Sequence, residues 1–247
     1  MKTKNNTVLI TGGGSGIGLE LAKKFYDEGN KVIICGRRKF VLQEAKKAMP
    51  ALHIFECNLS EPAERVKLAT DIIQQFPDLN MLINNAGSQL FLDFSKNNSP
   101  APDWAQYQKE ISINLEAPIH LISLFLNHLH TVENPTVINV TSGLAFVPYA
   151  QVPIYCATKS GLHSFTLSLR HQLKDTAITI LEIVPPAVDT ELGGKGLHTY
   201  GVHVGDFVSA IFDRLANGEN EVGYEGSEEL RLFGKDQITA RFKLLNN

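Results

Sequence analysis

Tyr155 and Lys159 stand one helical turn apart and carry the side chains in this chain best suited to proton transfer. Leu162, Phe165, Leu169 and Leu173 recur down one side of residues 152–174, which predicts a helix with Tyr155 and Lys159 on a shared face. A free phenol titrates near about 10, too high for a base at neutral pH, but a neighbouring ammonium favours phenolate. Lys159 is therefore expected to lower the pKa of Tyr155. In the opposite direction the same phenol can give its proton to a carbonyl oxygen as hydride reaches the carbon, which is general acid catalysis. Ser142 follows a Val/Ile-rich stretch, and its hydroxyl can hydrogen-bond a substrate oxygen as charge develops there. Alone, a helical Tyr usually packs and a Ser after a strand usually caps a turn. Only the three together argue for chemistry.

A second cluster, Thr11-Gly12-Gly13-Gly14-Ser15-Gly16-Ile17-Gly18, lies between an apolar run and an amphipathic segment. Glycines at a strand-to-helix turn let a pyrophosphate approach the helix N–H groups, so the position argues for a dinucleotide. The end of the next strand distinguishes the two nicotinamide dinucleotides, because a carboxylate there binds a ribose 2′-hydroxyl while a basic residue pairs with a 2′-phosphate. Here it reads Cys35-Gly36-Arg37-Arg38, without a carboxylate. A charge-assisted contact from Arg37 or Arg38 is worth about 1.5–3 kcal/mol, roughly ten- to a hundredfold in affinity. NADP is thus expected over NAD, with NAD still possible; the alternative is that both arginines are solvated residues at a helix start.

These groups need a scaffold. Val/Ile-rich runs at 7–11, 31–35, 53–55, 81–84, 136–141 and 179–184 read as buried strands. Helix-length segments separate them, with apolar spacing near 3.6 in Ile17, Leu21 and Phe25 and in Val66, Ala69, Ile73 and Phe76. Alternation of this kind predicts an α/β fold: a doubly wound, mostly parallel sheet of about seven strands with helices on both faces. Residues 1–247 are expected to form a single dinucleotide-binding and catalytic domain. A polar loop is read at 95–102 and a long helix at 104–130. In the tail, 221–224 could supply an edge strand, and Leu230, Phe233, Ile238, Phe242 and Leu245 an apolar helix face.

Composition excludes several classes. A formal net charge of −3 and no long basic block argue against nucleic acid as a partner. The first residues lack a signal peptide's apolar region, and no apolar run is long enough for a membrane span. Cys35, Cys57 and Cys156 have no metal-ligand spacing, which fits a reducing cytoplasm. His53, His120, His128, His130, His163, His171, His198 and His203 show no metal-site spacing; no metal is expected, and they read as surface or packing residues.

Taken with the glycine turn, Asn84-Asn85-Ala86-Gly87, Ser142 and Tyr155-Cys156-Ala157-Thr158-Lys159 resemble the short-chain dehydrogenase/reductase family over about residues 7–190. Residues 6–11, 140–146 and 169–173 also look like a bacterial branch associated with D-alanylation of lipoteichoic acid, without implying its substrate. The family resemblance adds Asn114 to the catalytic set, as holder of a water that links Lys159 to solvent. It implies cofactor contacts at Gly12, Ser15, Ile17, Arg37, Asn58, Leu59, Asn85, Ala86, Gly87, Lys159, Val188 and Thr190. Arg38 and Tyr155 join them, while Gly16 and Gly18 serve mainly the turn. Two positions depart from the pattern: Asn58 stands where an Asp commonly meets adenine, its carbonyl still able to accept a bond, and Pro186 where a Gly often stands.

The substrate pocket is expected between the Ser142 loop, residues 88–94 and a lid at 191–203 with Gly193, Gly194 and Gly196. Leu90, Phe91, Phe94, Leu144, Phe146, Tyr149, Leu192 and Leu197 could line it or belong to the core. The implied activity is NADP-preferring oxidoreduction of a small carbonyl or secondary alcohol. An epimerase or dehydratase on the same site, or a cofactor-sensing protein without turnover, are the alternatives. Apolar residues on more than one side of 104–130 and 152–174 suggest a homodimer or homotetramer.

Overall fold

The computed structural model describes residues 1–95 and 103–247. Seven strands form one sheet: β1 (Thr7–Thr11), β2 (Lys31–Gly36), β3 (His53–Glu56), β4 (Met81–Asn84), β5 (Thr136–Val140), β6 (Thr179–Val184) and β7 (Glu221–Gly223). Every pairing is parallel, in the order β3-β2-β1-β4-β5-β6-β7. The strands are apolar on consecutive residues because both faces are covered. In β1 the side chains alternate, so Val8 and Ile10 join one core while Leu9 joins the other.

The first core packs against α1 (Gly16–Asp27), α2 (Lys39–Ala48) and α7 (Val204–Ala216) through Leu21, Phe25, Leu42, Phe207 and Ile211. The second packs against α3 (Pro62–Gln75), α5 (Ala117–Leu129) and α6 (Pro153–Gln172) through Leu68, Ile72, Leu121, Phe125 and Leu169. From β1 the chain winds toward β3, and from β4 it winds the other way toward β7. The carboxyl ends of β1 and β4 therefore flank a switch-point crevice, where doubly wound sheets take ligands.

Some elements differ from the sequence reading. The buried face of α3 is Arg65, Leu68, Ala69 and Ile72, while Val66 is 44% exposed. Arg65 turns inward because its guanidinium is satisfied there: Nε donates to Leu59 O at 2.7 Å and Nη2 to Ser112 Oγ at 2.6 Å. The helix expected over 104–130 is α4 (Trp104–Ile111), a π-helical turn at Ser112–Glu116 and α5. Arg65 and a Ser112 Oγ donation to Glu116 at 2.7 Å hold that turn. The helix expected over 152–174 starts at Pro153, whose missing N–H costs nothing in a first turn, and stops at Gln172.

The edge strand is present as β7. The tail, however, forms α8 (Gly226–Leu230) and α9 (Lys235–Asn246), and α9 buries none of its residues fully. The expected polar loop at 95–102 lies, after residue 95, outside the described residues. Among those described, no helix is long and apolar enough to cross a membrane.

Candidate active site

At the switch point, Thr11 Oγ1 accepts from the backbone N–H groups of Asn85 and Ala86 at 2.9 and 3.0 Å, and Asn85 Nδ2 donates to Thr11 O at 2.9 Å. This stitches the glycine turn to the segment after β4. Gly12 has φ +66°, and a Cβ there would lie 2.9 Å from Ala86 Cα. Gly18 plays a different part: a Cβ would come within 2.5 Å of Gly12 O, so this glycine lets α1 close onto the turn.

One cleft of about 900 Å³ runs from this turn across the sheet edge, large enough for a dinucleotide beside a small molecule. Its lining brings together Gly12, Ser15, Gly16, Ile17, Arg37, Arg38, Leu59, Asn85, Ala86, Gly87, Val188 and Thr190 with Ser142, Tyr155 and Lys159. Gly18, Asn58 and Asn114 are not on that lining. Asn58 Oδ1 already accepts from Ser60 Oγ at 2.9 Å, so its carbonyl serves its own loop.

Tyr155 and Lys159 are buried on the same face of α6, the Lys159 ammonium 5.7 Å from the Tyr155 ring centre. Lys159 Nζ donates to Val140 O at 2.7 Å. Burial pushes Tyr155 well above its ordinary value, against the opposing hydrogen bond with Ser142. Burial also draws Lys159 down to about 8, against the field of Glu182. Both groups lie in the same dry wall, which disfavours whichever form is charged. Ser142 Oγ accepts from Leu144 N–H at 3.1 Å, holding the hydroxyl at the head of the loop.

Asn114 lies fully buried in the π-helical turn. Its side chain is committed to the chain itself: Oδ1 accepts from Ser88 N–H at 2.8 Å, and Nδ2 donates to Ser88 O at 2.8 Å and Thr158 Oγ1 at 3.2 Å. One turn earlier, Glu110 Oε1 accepts from Leu90 N–H at 3.3 Å. Glu110 and Asn114 thus clamp alternate residues of the segment after β4. Glu110 is 1% exposed, its Oε2 has no hydrogen-bond partner among the described residues, and burial raises its carboxyl to about 7.

Of the expected pocket residues, Leu90, Phe91, Leu144, Tyr149 and Leu192 line the cleft. Phe94 packs edge-on to Tyr107, Phe146 lies over His163, and Leu197 is half exposed. Residues 191–203, the segment expected as a lid, contribute Glu191, Leu192, Gly193, Gly194, His198 and Tyr200, with Gly193, Gly194 and Gly196 at positive φ. Sequence reasoning missed Gln89 and His198, buried on the lining with Oε1 and Nδ1 unpartnered among the described residues, and Leu230, Arg241 and Leu245 from the tail.

Behind the cleft, Glu182 is fully buried on β6, accepting from Thr141 Oγ1 at 2.7 Å and hydrogen-bonded to His163 Nδ1 at 2.9 Å. That bond raises the His163 pKa, so this histidine is neither a surface nor a plain packing residue. Ligand-type atoms of His163, Glu182 and Glu221 fall within 4.8 Å of one another, but Arg231 pairs with Glu221 at 3.5 Å and His163 with Glu182, so the cluster is internally compensated.

Residues 6–200 match the short chain dehydrogenase family. Over 100% of this chain and 98% of the relative, identity is 45% to the uncharacterized oxidoreductase DltE of Bacillus subtilis. Identity is 29% to the NADP-dependent 3-hydroxy acid dehydrogenase YdfG of Escherichia coli, over 73% of this chain and 72% of that one. Among solved structures, a short chain dehydrogenase from Burkholderia cenocepacia in complex with NADP superposes with TM-score 0.83 at 21% identity, covering 98% of this chain and 99% of that one. One from Sphingobium yanoikuyae in complex with NADPH gives 0.82 at 22% identity, covering 97% and 95%. With the glycine turn, the Asn-Asn-Ala-Gly segment and the Tyr155/Lys159 pair all on one switch-point cleft, the chain belongs to the short-chain dehydrogenase/reductase family, whose members are NAD(P)-dependent oxidoreductases.

Proposed function

We propose that the chain is an NADP-preferring reductase of small carbonyl compounds, working as a single dinucleotide-binding and catalytic unit in the cytoplasm. The observation that carries this reading is the cleft itself, with Ser142, Tyr155 and Lys159 on one wall and Arg37 and Arg38 at the far end. The residues suit the cofactor: Gly12, Ser15 and Gly16 of the glycine turn line the cleft, and among the described residues Arg37 has no side-chain partner while Arg38 donates only to Ser15 Oγ, at 3.3 Å. NADP in the names of a relative and of two structural neighbours supports the same choice. Buried free thiols at Cys35, Cys57 and Cys156 suit a reducing compartment. A homodimer or homotetramer is part of the same reading.

Arg37 and Arg38 would hold the 2′-phosphate, the glycine turn and Ser15 the pyrophosphate, and Asn85–Gly87, Val188 and Thr190 the nicotinamide half. When bound, the cofactor supplies hydride. Ser142 orients the substrate oxygen by hydrogen bond. Tyr155, kept protonated by burial, donates its proton to that oxygen. Lys159, near 8, is charged enough at neutral pH to return a proton to the phenolate. Thr11, Asn114 and Glu110 hold the backbone of the opposite wall.

The test is Tyr155→Phe, assayed with NADPH and a panel of aldehydes and ketones by nicotinamide absorbance. NADPH binding is expected to persist while turnover falls by about 10²–10⁴-fold, the usual contribution of a positioned acid. Turnover within threefold of the parent would overturn the mechanism, as would wild-type protein that binds NADPH but reduces nothing in the panel.

A further inference from the structure

The arginines of this chain divide into two groups. Those away from the cleft are engaged: Arg65 and Arg170 donate to backbone carbonyls at 2.7 and 2.9 Å, while Arg214 and Arg231 pair with Glu219, Glu221 and Glu228. Those on the cleft, Arg37, Arg38 and Arg241, make no ion pair among the described residues. Two of them stand at the glycine-turn end. Arg241 stands at the other, on α9, with Leu245 one turn further along beside it on the lining.

That end is largely apolar, with Gln89 and His198 as polar groups on the same lining. Leu144, Tyr149, Leu192, Leu230 and Leu245 line it. The helix carrying Arg241 is fastened there, since Asn246 Nδ2 donates to Pro148 O at 3.1 Å and Ala150 N–H donates to Asn246 Oδ1 at 2.6 Å. Leu230 in turn packs on the turn after Ser142, its Cδ1 at 3.2 Å from where a Gly143 Cβ would stand. The carboxylate on the lining, Glu191, stands between Thr190, which packs against Gly16, and Leu192, and makes no ion pair with Arg241 among the described residues. Arg241 is thus an exposed cation on the lining of the cleft, carried by a helix fastened at Asn246 and making no ion pair among the described residues.

We propose that Arg241 is the anchor for a carboxylate on the substrate, so that the preferred substrate is an oxo acid whose carbonyl meets Ser142 and Tyr155. A planar guanidinium takes a carboxylate through two parallel hydrogen bonds, and a single cation matches a singly charged group better than a doubly charged phosphate. The proposal rests on the reductase reading for its kinetic form but not for its binding form.

The test uses methyl ketones with a terminal carboxylate at increasing chain length, from acetoacetate through levulinate to 5-oxohexanoate, each beside its methyl ester. Hydroxyacetone phosphate is compared with hydroxyacetone. In the wild-type NADPH complex, kcat/KM for at least one acid is expected to exceed that for its ester by about tenfold, a charge-assisted bond discounted for the exposure of Arg241. In Arg241→Gln the acid-to-ester ratio falls to near one, and in Arg241→Lys it is partly kept. Esters equal to or better than acids at every length, or an acid preference that survives in Arg241→Gln, overturns the proposal. A larger preference for hydroxyacetone phosphate over hydroxyacetone overturns the assignment to carboxylate.

Melting of the NADPH complex with each acid and ester gives a second readout. If no ketone is reduced yet acids raise the Tm more than esters, and Arg241→Gln abolishes that difference, the anchor stands and the reductase reading falls. If no ketone is reduced and acids shift the Tm no more than esters, the anchor falls too.

Discussion

Glu110→Gln tests the wall of the cleft through its response to pH. Burial raises the Glu110 carboxyl from 4.5 to about 7, with the Leu90 N–H opposing. In the unfolded chain the group is an ordinary carboxyl, so between those two values the folded state holds more protons than the unfolded state. Stability from this group is therefore fully present below 4.5 and is lost as pH rises through about 7. At about 1.4 kcal/mol for each step in pKa, the loss comes to roughly 3 kcal/mol.

Gln at 110 retains an oxygen for the Leu90 N–H and carries no charge at any pH. Its amide introduces an offset that is constant with pH, because it does not titrate. The assay is urea unfolding of both chains at about pH 5 and about pH 8, comparing the difference between them. The other titrating groups, His163 included, are common to both and cancel. Relative to wild type, Glu110→Gln is expected to be more stable by roughly 3 kcal/mol more at the higher pH than at the lower. A difference that stays constant over this range would refute the reasoning, since it would mean that Glu110 ionises in the fold as it does in water.

Replacing both Arg37 and Arg38 by Ala is expected to weaken NADPH binding by roughly tenfold or more while NADH binding changes little, measured by fluorescence titration. Equal wild-type affinities for the two cofactors would remove the role given to these arginines. The rate of carbonyl reduction is expected to hold steady below about 8 and to fall above it, as Lys159 loses the proton it returns to Tyr155. A profile that stays level well past that value would rule out Lys159 as the donor.

The strands were legible because covered parallel strands are apolar throughout: β1, β4 and β6 begin and end where Val and Ile runs do. The cleft end of the fold was legible because its motifs are short and local, and Gly12, Ser142, Tyr155 and Lys159 all reach the same crevice. What escaped depends on distant partners. The break at Ser112–Glu116 comes from Arg65 on α3, and no local spacing announces it. The same buried guanidinium rotates the apolar face of α3 away from Val66. Glu110 carried a usable signal, an acidic residue one turn before Asn114 and beside two isoleucines, Ile111 and Ile113. Arg241 carried none, because its place on the cleft depends on Asn246 reaching the loop at 148–150.

The direction in which the site holds its protons follows from burial and from one row of side chains. Tyr155, Lys159 and His163 recur at successive turns of α6, and Glu182 on β6 contacts the last of them and biases the middle one. Burial raises the phenol and lowers the amine, so at neutral pH Tyr155 keeps its proton, and in the proposed mechanism a carbonyl oxygen takes it. Once it is taken, the phenolate is a buried anion, and a charged Lys159 is the proton source beside it on that face. Glu182 opposes the loss of charge from Lys159, and His163 competes for the same carboxylate, with its own pKa raised by it. Protonation of His163 spends the charge of Glu182 and weakens its support for Lys159. The i, i+4, i+8 spacing of Tyr, Lys and His thus sets three titratable groups along one face of α6, and in the proposed mechanism the carboxylate that holds the last of them also supports the charge of the middle one.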